Sequence, residues 1–117
     1  MRVLVCGGRG YDDWETFCSL MEDVKPTFII EGGAKGADTM AWKWARHNLG
    51  KGSEFSVSFK ANWSKYGRGA GPIRNRQMLE EGKPDLVVAF KGGKGTANMV
   101  KQAKSAGVEV IEVVGDN

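Results

Sequence analysis

Val3-Leu4-Val5-Cys6-Gly7-Gly8-Arg9-Gly10 joins a hydrophobic, strand-like run to a double glycine that opens a helix-like segment. The same junction recurs twice. Phe28-Ile29-Ile30-Glu31 runs into Gly32-Gly33-Ala34-Lys35-Gly36, and Leu86-Val87-Val88-Ala89-Phe90 runs through Lys91 into Gly92-Gly93-Lys94-Gly95-Thr96. Recurrence of this kind brings several strand ends to one place, with bare backbone N–H groups and helix N-termini facing it. Such an arrangement cradles phosphate.

Outward from these junctions the pattern alternates strand and helix. Strands are expected at residues 2–6, 27–31, 54–58, 85–90 and 108–113. All but the third are continuous apolar runs, as parallel strands covered on both faces require. Between them Trp14, Phe17, Leu20, Met21 and Val24 recur at helical spacing in 13–24, and Ala37, Met40, Ala41, Trp44 and Ala45 do so in 37–48. Further helices are expected at 72–81, opened by Pro72, and at 96–106, opened by Thr96 and closed by Gly107. The alternation predicts an α/β fold: a doubly wound, Rossmann-like parallel sheet of about five strands with helices on both faces. Ligands of such sheets bind beyond the carboxyl ends of the strands, where all three junctions fall. The segment 59–71 reads as an irregular connection, longer than usual, and so as a binding loop or lid.

The 117 residues suit a single domain spanning 1–117. Area scaling gives about 6,000 Å² exposed when folded against roughly 18,000 Å² unfolded, which is enough burial without crosslinks. With 41% hydrophobic and 26% charged residues the chain is an ordinary globular one. No apolar run reaches the ~20 residues of a membrane span, and Met1 leads directly into a strand, so no signal peptide and no membrane partner are expected. Cys6 and Cys18 read as reduced packing thiols, which fits a cytoplasmic location. His47 is the single histidine; no metal site, Cys-His dyad or cofactor is expected. The net charge of +3 is unevenly placed. Between Phe55 and Leu79 there is no acidic residue, while Lys60, Lys65, Arg68, Arg74 and Arg76 all occur there with Trp63 and Tyr66. That is a local field suited to a phosphate-bearing partner.

Each motif has a functional and a structural reading. Gly92, Gly93 and Gly95 let backbone approach an anion, and Thr96 is able to cap the helix or donate to phosphate; the alternative is a tight turn with a Thr cap. Asp38 is either a favourable first-turn charge or a ribose acceptor or catalytic carboxylate. Arg74 and Asn75 fall at a helix start, where an arginine opposes the dipole, so Arg74 is read as a phosphate clamp or a group that polarises a leaving group, and Asn75 as a reader of base or ribose. Arg76 reads as a surface charge, Trp44 as core, and Trp42 as surface or interface.

Together, Gly7-Gly8-Arg9-x-Tyr11, Gly32 through Asp38, Trp63 with its basic loop, Gly71-Pro72-Ile73-Arg74-Asn75-x-x-Met78 and Gly92-Gly93-x-Gly95-Thr96 resemble the SLOG superfamily, in its small YspA-like branch. Two other branches bear on mechanism. Arg74…Met78 and Gly92–Thr96 are similar to the arginine and GGxGTxxE loop of Lonely Guy phosphoribohydrolases, whose loop holds a 5′-phosphate and whose arginine and glutamate help cleave the base–ribose bond. Here Met99 stands at the glutamate's position, and a methionine neither transfers a proton nor stabilises an oxocarbenium ion. The segments Gly33 to Asp38 and Arg74-Asn75-Arg76 also resemble motifs of the single-strand-binding DNA-processing protein A family.

The resemblance implies binding of a nucleoside monophosphate or ADP-ribose-like molecule, for sensing or sequestration. Gly92, Gly93, Gly95 and Thr96 would take phosphate; Gly7, Gly8, Arg9, Gly32, Gly33, Gly36 and Asp38 would line the pocket with Arg74 and Asn75; and Trp63, Lys65 and Arg68 would close over it. The alternative is an N-glycosidase using Asp38, Arg74 or Glu31. Single-stranded nucleic acid is the third reading, and relatives of this type imply a homo-oligomer.

Overall fold

A computed structural model describes residues 1–113. Five strands, β1 (Arg2–Cys6), β2 (Phe28–Glu31), β3 (Ser56–Ser58), β4 (Leu86–Ala89) and β5 (Glu109–Glu112), form one sheet in the order β3-β2-β1-β4-β5. Every pairing is parallel, with Val3 opposite Ile29 on one side and Leu86 on the other. This is the expected doubly wound sheet. Because β1 leads outward to β2 and β3 while β4 and β5 lie on its other side, the strand order reverses between β1 and β4, and a crevice opens at their carboxyl ends.

The apolar runs divide by strand alternation into two cores. Val3, Val5, Ile29, Leu86 and Val88 face α1 (Trp14–Val24) and α2 (Ala37–Asn48), where Phe17, Met21, Ala41 and Trp44 are buried. Leu4, Cys6, Ile30, Val87 and Ala89 face α4 (Ala70–Gly82) and α5 (Lys94–Ser105), where Met78, Met99 and Ala103 are buried. A strand covered on both faces has no polar alternate positions, which is why the runs of β1 and β4 are continuous; β5, expected to be another such run, is an edge strand whose Glu109 and Glu112 are exposed. The edge strand β3 carries serines and is shorter than the 54–58 expected.

Local chemistry sets the helix ends. The Asp13 carboxylate caps α1, accepting the Thr16 N–H at 3.1 Å, and Gly107 follows α5 at φ 76°. Three expectations require correction. Segment 59–71 is not irregular: Asn62 caps a single-turn helix α3 (Trp63–Tyr66), a 3-10 turn Gly67–Gly69 follows, and α4 begins at Ala70. The Asx cap at Asn62 was the overlooked signal, since glycines after it read as loop. Arg74 and Asn75 therefore sit in the second turn of α4, not at its start, and Pro72 occupies the first turn, where its missing N–H costs no hydrogen bond. Thr96 does not cap α5. Gly93 is the N-cap, its carbonyl accepting from Ala97 at 3.0 Å, so Thr96 is the third helical residue.

Candidate functional site

Backbone hydrogen bonds gather the three glycine junctions around Gly8. Its N–H donates to the Lys91 carbonyl at 2.9 Å, and its carbonyl accepts from Ala37 N–H at 3.3 Å and Tyr11 N–H at 3.2 Å. The end of β1 is thus tied both to the loop before α5 and to the start of α2. Such approach leaves no room for side chains at two points. A Cβ on Gly36 would collide with the carbonyls of Gly8 and Arg9, and one on Gly92 would lie 2.7 Å from the Gly8 nitrogen. At Gly93 and Gly95, by contrast, a Cβ would meet nothing within 4 Å, so their backbone borders open space.

That space is a cleft of about 280 Å³ at the β1/β4 reversal point. Gly93, Gly95 and Thr96 border it at the start of α5, and no side chain caps that helix. Its first-turn N–H groups and the positive end of its dipole are therefore available to an anion. Gly7, Gly8 and Arg9 form another wall, Asp38 and Arg74 a third, and the exposed indole of Trp63 stands at the mouth.

Arg74 is held from two sides. Its Nη1 donates to the Gly32 carbonyl at 2.6 Å and more weakly to Phe59 at 3.5 Å, joining α4 to the ends of β2 and β3. Its Nε donates to Asn75 Oδ1 at 3.1 Å. The buried Asn75 amide in turn donates to the Gly95 carbonyl at 3.1 Å and to Asn98 Oδ1 at 3.2 Å. Both hydrogens of its side-chain amide are used within the protein, where they tie α4 to the start of α5.

Two carboxylates are buried here. Asp38 accepts the Ala34 N–H at 3.1 Å, and Glu31 accepts the Gly33 N–H at 2.5 Å and the Ser58 hydroxyl. Burial raises the pKa of both, against the pull of these hydrogen bonds and of Arg74. The Cys6 thiol at the cleft floor is pushed up to about 12, first by burial and then by Asp38, and stays protonated and unreactive. Among the described residues no three His, Cys, Asp or Glu side chains gather as metal ligands.

The structure brings together most residues singled out from sequence, in two connected lobes. Gly7, Gly8, Arg9, Asp38, Trp63, Arg74, Asn75, Gly93, Gly95 and Thr96 border the cleft. Gly32 and Gly33 border a second lobe of about 330 Å³ that shares Arg9, Ala34, Trp63 and Arg74 with the first. Gly36 and Gly92 lie behind the walls as contact points. Lys65 and Arg68 border neither lobe, and the Lys65 ammonium lies 5.0 Å from the Tyr66 ring centre instead. Not singled out as lining from sequence were Cys6, Gly71 and Met78 in the first lobe, Lys35, Lys60 and Ala61 in the second, and Ala34 in both. Lys60 was legible as a residue just past a strand's carboxyl end. Gly71 and Met78 become visible only when α4 packs against the sheet.

Met99 does not border the cleft. It is wholly buried on the α4/α5 side of the sheet, packed with Leu4, Met78 and Val87.

Among the described residues no helix is long and apolar enough to cross a membrane. The sequence matches the family described as YspA, cpYpsA-related SLOG over residues 1–66, which run from β1 through α3. It is also similar to the gene 61 protein of Mycobacterium phage D29, at 32% identity over 118 residues covering 94% of each chain. That match spans most of the chain, beyond the residues of the family match.

Proposed function

From the premise that this chain belongs to the YspA, cpYpsA-related SLOG family, we propose that it binds a nucleotide in the cleft at the β1/β4 strand ends, as a sensor or sequestering protein. The observation that carries this reading is the uncapped N-terminus of α5, opening through Gly93 and Gly95 into a cleft that also holds an arginine, a carboxylate and an exposed indole. These match the parts of a nucleotide. The helix N-terminus and the Thr96 hydroxyl take the phosphate, Asp38 accepts from ribose hydroxyls, and Trp63 offers a face for the base. Arg74 fixes the wall opposite the phosphate loop and adds positive charge to it.

Calorimetric titration with the 5′-monophosphates of the four common bases tests the proposal. Saturable heat is expected with at least one of them, and Thr96→Ala is expected to weaken it about tenfold, the worth of one charge-assisted hydrogen bond. Absence of heat with every nucleotide overturns the reading.

One observation favours hydrolysis as a second reading. Asp38 borders the cleft with a pKa raised by burial, the direction that suits a carboxyl group to donating a proton to a leaving base while water attacks the ribose carbon. On this reading Asp38 supplies the proton that position 99 does not. Release of free base from a bound nucleoside monophosphate, abolished in Asp38→Asn with binding retained, separates catalysis from binding.

A further inference from the structure

The second lobe is lined by four cations, Arg9, Lys35, Lys60 and Arg74, and by no carboxylate. The ion pairs formed among the described residues are Arg76–Glu80 and Lys104–Glu112; Arg74 is partly balanced by the nearby buried Asp38 and Glu31, while Arg9, Lys35 and Lys60 have no acid at ion-pair distance. Like charges gathered around one concave wall repel one another, and an anion placed between them relieves that repulsion. The position of Lys60 is built in. Its aliphatic stem lies over Gly33, where a Cβ would stand 2.7 Å from the Lys60 Cγ, so a side chain at Gly33 would displace the lysine. Gly33 itself turns at φ 72°, a conformation glycine adopts freely. Arg74 is fixed by its bond to the Gly32 carbonyl, and Trp63 is a wall common to both lobes.

Resting on the nucleotide reading above, we infer that this lobe is a second anion subsite, and that the ligand is a nucleotide carrying two phosphates that are not joined to each other. The separation follows from the sheet. The phosphate seat at α5 follows β4, and Lys60 follows β3. In the order β3-β2-β1-β4 these strands are three spacings apart, about 14 Å. Side chains reach inward and shorten that span, but a pyrophosphate, whose phosphorus atoms share one bridging oxygen, is too short to serve both seats. A sugar between the phosphates bridges them. Two ligand types share this chemistry: a nucleoside 3′,5′-bisphosphate and a linear dinucleotide with a 5′-phosphate.

Titration of the intact protein with adenosine and guanosine 5′-monophosphates, 5′-diphosphates, 3′,5′-bisphosphates and the linear 5′-phosphorylated dinucleotides tests the inference. At least one ligand with separated phosphates is expected to bind about tenfold or more tighter than its monophosphate, with the 5′-diphosphate showing no such gain. The higher of the bisphosphate and dinucleotide affinities identifies which source supplies the second phosphate. In Lys35→Ala/Lys60→Ala, which changes exposed side chains, the ratio of the two affinities is expected to fall to about two or less. The inference is overturned if separated phosphates give no gain over the monophosphate, if the diphosphate gains equally, or if the ratio survives the double substitution. In each of those outcomes monophosphate binding still stands and the nucleotide reading with it. Should no nucleotide bind, that reading falls first and takes the second subsite with it.

Discussion

At Gly36 the chain turns with φ 77° while its Cα rests against the carbonyls of Gly8 and Arg9. Both conditions exclude a side chain, and the second cannot be relieved without moving β1 from α2. Gly36→Ala is therefore expected to cost on the order of 2–4 kcal/mol in chemical denaturation. A loss below about 1 kcal/mol would show that the two loops part easily. Asp38 and Glu31 make a different demand. Both are held above their ordinary values of 3.8 and 4.5, chiefly by burial. Just above those values the native state binds more protons than the unfolded chain, so stability falls as pH rises through that window and levels off above the folded pKa values. Denaturation midpoints measured from about pH 4 to about pH 7 are expected to decline, and Asp38→Asn is expected to flatten part of the decline. An unchanged slope in the variant would assign it to other groups.

Between elements, the polar ladder along α4 and α5 sets where the uncapped start of α5 lies. Asn75 joins Arg74 to Gly95 and Asn98, and Gln102 continues the ladder, donating to Asn98 Oδ1 at 2.7 Å and to the Pro72 carbonyl at 3.1 Å. Asn75→Ala leaves the Gly95 carbonyl and Arg74 Nε without their partner. The expected cost is about 2 kcal/mol in stability, with weakened nucleotide binding although the side chain's own bonds are all made within the protein. A double-mutant cycle with Asn98→Ala checks this: a coupling near zero would mean that α5 holds its place without the ladder. The α3 turn acts at the same scale. The Asn62 Oδ1 caps it, accepting the Lys65 N–H at 3.1 Å, and this presents Trp63 to both lobes while directing Lys65 away from them.

For the molecule as a whole, the two-sided core decides what position 99 is able to do. Because Met99 is wholly buried among apolar side chains, Met99→Glu places a carboxylate where nothing solvates it. Thermal unfolding is expected to show a loss of several kcal/mol and no gain of base-releasing activity. A stable variant that releases base would mean that α5 is able to rotate this residue into the cleft. The layered fold was legible in the sequence because Val3, Leu4, Val5 and their counterparts in β2 and β4 have no polar alternate position, and only a parallel strand covered on both faces uses such a run. The glycine junctions were legible as paired glycines after apolar runs, and at Gly36 and Gly92 a close backbone approach admits no other residue. Other features depend on contacts between residues distant in the chain. Lys60 meets Gly33, and Arg74 reaches Gly32 across 42 positions, through packing that no local pattern encodes. Local periodicity and backbone sterics were enough for the parallel strands, for α1, α2 and α5, and for the glycine junctions at the strand ends. Tertiary structure alone decided that the cleft has two lobes, that Lys65 and Arg68 stand outside them and that Met99 faces the core, since each depends on how α3, α4 and α5 pack against the sheet.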